Sequence, residues 1–159
     1  MIYTMQVKPE TELDTLYKIE KLGYTAYVPR EERQIRRRGK WNSQINMIFS
    51  NYVFLETAEI SAEDYYNLKR IDGFLRILGS PSPLSRTESE QIKWLCNNGN
   101  IIAPSHYIID DDGNIRFTDG VVKNLQHLIV DYKLRQKRVK LKITVEGKAF
   151  TVTLPIEKI

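Results

Sequence analysis

Apolar residues in this chain come in short blocks, and the spacing inside each block predicts a different element. Ile2–Val7 is a short apolar segment that reads as a first or edge strand, ended by Lys8-Pro9. Thr11-x-x-Asp14 is a capping signal, and Leu13, Leu16 and Tyr17 are spaced to share one face of the helix it opens. Gly23 closes that helix, and Tyr24–Val28 has the β-branched and aromatic composition of a second strand. Residues 29–44 hold few apolar positions, many charges and one glycine, Gly39, which predicts an exposed hairpin or a disordered loop. The dense run Ile45–Glu56 predicts a central strand buried on both faces, with a bend available at Ser50-Asn51.

Ser61-x-x-Asp64 opens a second helix with Tyr65, Leu68 and Ile71 on one side, and Asp72-Gly73 stops it. Phe74–Leu78 follows as a strand, and Pro81-Ser82-Pro83 enforces an extended turn. Ser85-x-x-Glu88 caps a third helix that turns Ile92, Leu95 and Cys96 inward and ends at Asn98-Gly99. This alternation describes a compact α+β domain over residues 1–99.

Beyond Asn100 the texture changes. Residues 104–114 contain Pro104, the run Asp110-Asp111-Asp112 and Gly113-Asn114, so residues 100–112 read as a linker. In the remainder, 113–159, Val139, Leu141, Ile143 and Val145 alternate with Lys140, Lys142 and Thr144, a period of two. Phe150, Val152 and Leu154 repeat the pattern after a Glu146-Gly147 turn. Short strands in so small a segment predict a small barrel. The β-branched residues, Gly147 and Pro155 disfavour a helical alternative.

Charge sharpens the picture. The chain has 159 residues with 24 Lys and Arg against 20 Asp and Glu, a formal net charge of +4. Residues 30–40 carry six basic and two acidic side chains, and residues 133–148 carry seven basic and one acidic. These zones sum to +10, so the rest of the chain is at −6. Two concentrated positive zones on a mildly acidic body predict polyanion contact at particular places.

At this point the residues resemble the NusG family of transcription elongation factors. Phe49-Ser50-Asn51-Tyr52-Val53-Phe54 resembles the family's Phe-Pro-Gly/Asn-Tyr-Val/Leu strand. Gly73-Phe74-Leu75 with Pro81-x-Pro83-Leu84-Ser85 resembles the segment leading into its third helix. Ile115-Arg116-Phe117-Thr118-Asp119-Gly120 resembles the start of a KOW motif, and Gly147–Val152 its later hairpin. His127 stands where the motif usually has glycine, Val121 follows Gly120 where proline is usual, and Ser50 replaces a proline. Those departures resemble the specialised paralogues of the RfaH and LoaP kind, which are operon-specific antiterminators.

The resemblance implies a NusG N-terminal-type α/β sandwich followed by an SH3-like five-stranded β-barrel. It implies binding to the clamp helices of the RNA polymerase β′ subunit, with reach toward β, through a concave patch that includes Tyr3, Phe49 and Tyr52. It implies contact with DNA through Lys8; the residues themselves predict contact with DNA or nascent RNA at the hairpin, where Arg36, Arg37, Arg38 and Lys40 meet phosphates and Trp41 stacks on a base. The segment Asn124-Leu125-Gln126 corresponds to the family's partner loop for Rho or a small-subunit ribosomal protein. A cytoplasmic monomer that promotes processive elongation is the expectation. A ribosome-associated KOW-type RNA-binding protein is the alternative.

Enzyme chemistry finds no support in the residues. His106 and His127 are far apart, no glycine-rich phosphate loop or paired-carboxylate pattern is present, and neither a cofactor nor a metal is expected. Cys96 is the single cysteine, so no intramolecular disulfide forms. No apolar run is long enough for a membrane helix, and the N-terminus lacks the apolar stretch of a signal peptide.

Overall fold

Two compact units emerge from the chain in the computed structural model, which describes residues 1–79 and 82–159. The first unit takes in Met1–Val28, Phe49–Glu90 and Val145–Gly147. The second takes in Pro29–Ile48, Gln91–Thr144 and Lys148–Ile159.

The first unit is built on a four-stranded sheet of β1 (Ile2–Val7), β2 (Thr25–Tyr27), β5 (Tyr52–Glu56) and β6 (Phe74–Ile77), in the order β2-β5-β1-β6. All pairings are antiparallel, with Tyr3 opposite Leu55, Met5 opposite both Val53 and Ile77, and Ala26 opposite Leu55. Because side chains alternate across a strand, these residues share one face. That face forms a core with Ile19 of helix α1 (Glu12–Lys21) and Leu68 of helix α2 (Ala62–Lys69). The opposite face carries Ile2, Thr4 and Phe54, all buried, with Tyr52 and Glu56 at its margin.

Helix α1 departs from its expected orientation. Glu12, Thr15 and Ile19 are buried and Leu16 packs partly against the core, whereas Leu13 and Tyr17 are 46% and 59% exposed. The cause is a close backbone approach. Gly73 has φ +99, and a Cβ there would lie 2.8 Å from Thr15 Oγ1. Only small side chains fit at that crossing, so the helix turns its threonine inward and leaves two larger residues outside. Thr11 takes the N-cap position without capping; its hydroxyl donates to the Lys8 carbonyl instead.

In α2 the capping box forms as its spacing predicts: Asp64 N–H donates to Ser61 Oγ and Ser61 N–H to Asp64 Oδ2. Leu68 and Ile71 are buried, while Tyr65 is half-exposed and meets Phe74 edge-on. Helix α3 (Arg86–Cys96) starts with Glu88 N–H donating to Ser85 Oγ, and Ile92, Leu95 and Cys96 are buried. The Pro81 end of the expected extended turn lies outside the described residues.

The expected single strand Ile45–Glu56 is two elements. Met47 closes β4 (Lys40–Met47), which pairs in antiparallel register with β3 (Arg30–Arg37), and β5 begins only at Tyr52. Ile45 is 57% exposed, so the first half of that run is not core. The bend falls at Asn51, where φ is +68, a value asparagine tolerates better than most residues.

The second unit holds this two-stranded ribbon and a five-stranded sheet in the order β8-β7-β11-β10-β9. Its strands are β7 (Ser105–Ile109), β8 (Ile115–Phe117), β9 (Ile129–Lys133), β10 (Arg138–Val145) and β11 (Lys148–Lys158). The pairing of β11 with β7 is parallel. Val139, Leu141, Ile143 and Val145 are buried as their alternation predicts. The segment expected as a linker contains β7, because Ser105 and Tyr107 are buried against β8 and β11. Ser105 also fixes the turn after β8: Gly120 has φ +89, and a Cβ there would fall 2.2 Å from Ser105 Oγ.

One pH dependence follows from α2. Hydrogen bonds from Tyr24 and from the Ser61 backbone and side chain hold the Asp64 carboxyl below its ordinary value. The stability it contributes is present above the unfolded aspartate pKa of about 4 and lost as pH falls through the lower folded value. In acid denaturation monitored by circular dichroism, Asp64→Asn removes this contribution. The variant is less stable than the parent above about pH 4 and converges with it below.

Candidate nucleic-acid and partner interfaces

Alternation along β5 sends Tyr52 and Phe54 to the sheet face opposite α1 and α2. Phe49 folds back onto them: its ring lies 5.6 Å from Phe54, edge-on, and 6.2 Å from Tyr52. The three expected docking residues therefore occupy different environments. Tyr3 is 4% exposed and faces the α1/α2 core, and Phe49 is 3% exposed. Tyr52 is half-buried and alone among them keeps accessible surface beyond a few per cent. Tyr3 and Tyr52 lie on opposite faces of the sheet, so the three do not form one patch.

The ribbon β3–β4 is exposed along nearly its whole length on the β4 side. Its tip, Arg38-Gly39, has φ of +51 and +74, the two consecutive positive values that a tight hairpin turn needs. Arg37 stands directly opposite Lys40, and Arg36 opposite Trp41. Like charges across a ladder repel, so the tip stores an unfavourable interaction that an anion would relieve. Arg36, Arg37, Arg38 and Lys40 are thus brought together and exposed. Trp41 is 36% exposed, and the Lys137 ammonium sits 4.6 Å from its ring centroid. That ring face is occupied by a cation rather than open to a base. Lys8 is in the other unit and lies 3.8 Å from Asp72, an exposed pair of little energetic weight.

A two-stranded ribbon is marginal alone, and this one is anchored at its base. Glu32 N–H donates to the Ile102 carbonyl and Ile102 N–H to the Arg30 carbonyl, both at 2.8 Å. Beside them the buried Glu31 carboxylate accepts from Arg138 Nη2 through both oxygens. Burial pushes the Glu31 carboxyl up, and Arg138 and then Arg33 pull it back. Arg138 Nε donates to Thr153 Oγ1 at 2.9 Å and Nη2 to the Thr153 carbonyl at 2.8 Å. Sequence reading missed this anchor. Its only local trace is the acidic pair Glu31-Glu32 inside a basic run.

The segment expected as a partner loop is helical. Asn124 and Leu125 end α4 (Val121–Leu125), and Gln126 opens a short 3-10 turn through Leu128. Leu125 is 1% exposed, so Asn124 and Gln126 flank a core residue instead of presenting it. Gln126 Nε2 donates to the Lys123 carbonyl at 3.1 Å.

The acidic run and the histidines have local partners. Asp110 Oδ1 accepts from the Asp112 and Asn114 amides, an ordinary use of aspartate in a turn. His106 Nδ1 lies 2.9 Å from Asp119 Oδ1. Among the described residues no group of three or more His, Cys, Asp or Glu side chains is placed to hold a metal ion, and no helix is long and apolar enough to cross a membrane.

Comparison with known proteins places this geometry. No curated protein matches the chain. Among solved structures, the crystal structure of an MjSpt4:Spt5 complex in conformation A is similar over 98% of this chain and 94% of that one. It has 14% identity and a TM-score of 0.35, too loose a likeness to support any inference. The family model NusG, described as transcription termination factor nusG, matches residues 2–93. That match spans the four-stranded sheet, the ribbon and most of α3, more than half of the chain. The chain belongs to the NusG family of transcription factors.

Proposed function

We propose that this protein is a transcription elongation factor that rides on RNA polymerase and favours processive elongation and antitermination. The carrying observation is the NusG family match over residues 2–93. In this reading residues 1–99 correspond to the family's N-terminal domain and 113–159 to its KOW barrel, with the specialised RfaH- and LoaP-like members as the nearest functional analogy. The role is binding rather than catalysis: a ligand that favours the closed, elongating clamp shifts a two-state equilibrium by its differential affinity.

Docking to the β′ clamp helices is assigned to the sheet face that carries Tyr52. Burial divides the labour among the three rings. Tyr52 is the contact; Phe49, packed 6.2 Å away, holds it from behind, and Tyr3 stabilises the sheet from the α1/α2 side. Contact with DNA or nascent RNA is assigned to the ribbon tip, whose opposed cations Arg37 and Lys40 gain most from a polyanion. Any contact to Rho or to a ribosomal protein runs through the exposed side chains of Asn124 and Gln126.

Two measurements test this. In binding to purified core polymerase, Tyr52→Ala weakens affinity by about 1–4 kcal/mol while leaving thermal stability near the parent's. Phe49→Ala instead destabilises the fold by about 3–5 kcal/mol. Full polymerase affinity in a folded Tyr52→Ala variant contradicts the docking assignment. In nucleic-acid binding followed across a salt series, Arg36→Ala, Arg37→Ala and Arg38→Ala together lower affinity and flatten the slope of log K against log salt by about 2–3. An unchanged slope removes the ribbon tip from the interface.

A further inference from the structure

Between the ribbon and the turn that leads into β10 the second unit has an open cleft of about 320 Å³, lined by Arg33, Arg36, Trp41, Arg135, Gln136 and Arg138 among others. Four guanidinium groups from two separate stretches of chain, 33–36 and 135–138, converge there. No acidic side chain lines it. Of the two carboxylates on β3, Glu31 is bonded to the floor residue Arg138 through Nη2, and Glu32 Oε1 accepts from Ser43 Oγ and Gln34 Nε2. Among the described residues Arg33, Arg36 and Arg135 make no ion pair within 4 Å, and all three are exposed.

The floor is distinctive. Arg138 is 3% exposed; its Nε and Nη2 have acceptors, whereas its Nη1 is buried with none. An unmade hydrogen bond from a buried charged group is expensive, so the site is short of one acceptor. Guanidinium forks match phosphate oxygens in spacing and charge, better than an ammonium does. The cleft volume lies at the low end of small-molecule sites, about 300–1,000 Å³, which accommodates a phosphate and its sugar. The aromatic wall does not add a base platform, because Lys137 covers the Trp41 ring.

We infer that this cleft, formed by Arg33, Arg36 and Arg135 over Arg138, binds one backbone phosphate of a nucleic-acid strand. The strand's phosphate oxygens bridge the rim arginines Arg33, Arg36 and Arg135 above the Arg138 floor. The inference rests on the reading of the ribbon as a nucleic-acid contact and extends it from the tip to the C-terminal sheet. It also assigns a binding role to Arg135, which lies far from the tip in sequence.

The test uses the full chain with inorganic phosphate and with a short labelled single strand as probes. In ¹H–¹⁵N spectra, phosphate shifts the Trp41 indole and Arg138 Nε–H signals saturably in the parent and not in Arg135→Ala. Arg135→Ala weakens the strand roughly tenfold and lowers the salt slope by about 1. Arg37→Ala with Arg38→Ala weakens the strand but leaves the phosphate titration intact. If Arg135→Ala and Arg33→Ala both keep parental strand affinity and slope while the tip variants lose them, the cleft is overturned and the ribbon reading stands. Saturable phosphate binding with unchanged strand affinity in Arg135→Ala also overturns it, since the site then takes only a free anion. Absence of strand binding by the parent at low salt overturns both readings.

Discussion

The buried ion pair between Glu31 and Arg138 is the interaction on which the functional geometry depends. The two residues are 107 positions apart, so their contact commits the ribbon to the C-terminal sheet. Taking both charges out of water is costly, and such a pair is weak evidence for added stability over an apolar substitute. Its effect is specificity. With Glu31 fixed and Ile102 bonded to the Glu32 amide and the Arg30 carbonyl, the place of β3 within the second unit is set, and every exposed arginine on the ribbon takes its position from it. Removing one partner alone leaves an uncompensated buried charge, a loss of about 3–5 kcal/mol.

The same geometry explains why the ribbon can carry so much unpaired positive charge. An isolated two-stranded hairpin with Arg37 facing Lys40 would be disfavoured by repulsion and by its lack of a hydrophobic face. Anchoring at the base supplies what the ribbon itself lacks and leaves the tip available for binding. The first unit works differently. Its sheet is covered on the α1/α2 side by an ordinary apolar core, while the other side packs Phe49 and Tyr52 each edge to face on Phe54 and leaves Tyr52 of the three partly outside. One unit presents cations held by a buried pair, the other an aromatic held by buried rings.

Local physics made much of this fold readable in the sequence. The period of two in Val139–Val145, the capping box at Ser61 and the glycine stop at Gly23 each act within a few residues, and each recurs in the structure. Readings failed where a distant contact decided the outcome. Leu13 and Tyr17 point outward because Gly73 admits Thr15 at close range. Ile45 and Met47 sit in an apolar run yet belong to an exposed ribbon, and Ser105–Ile109 has linker-like neighbours yet pairs as a strand between β8 and β11. Tyr3, Phe49 and Leu125 are buried residues on elements of mixed exposure, and only tertiary packing distinguishes them from surface anchors. The basic zones 30–40 and 133–148 were visible as separate charge clusters, but that Arg33 and Arg135 line one cleft was not, because nothing local pairs them.

The most direct test of the anchor is native-state hydrogen exchange on the full chain, comparing the parent with Glu31→Gln. The account predicts that amides of residues 31–46 lose protection in the variant while those of β1 and β5 keep theirs. Equal protection across the ribbon in the two proteins would contradict it, because the ribbon would then hold its place without the buried charge pair.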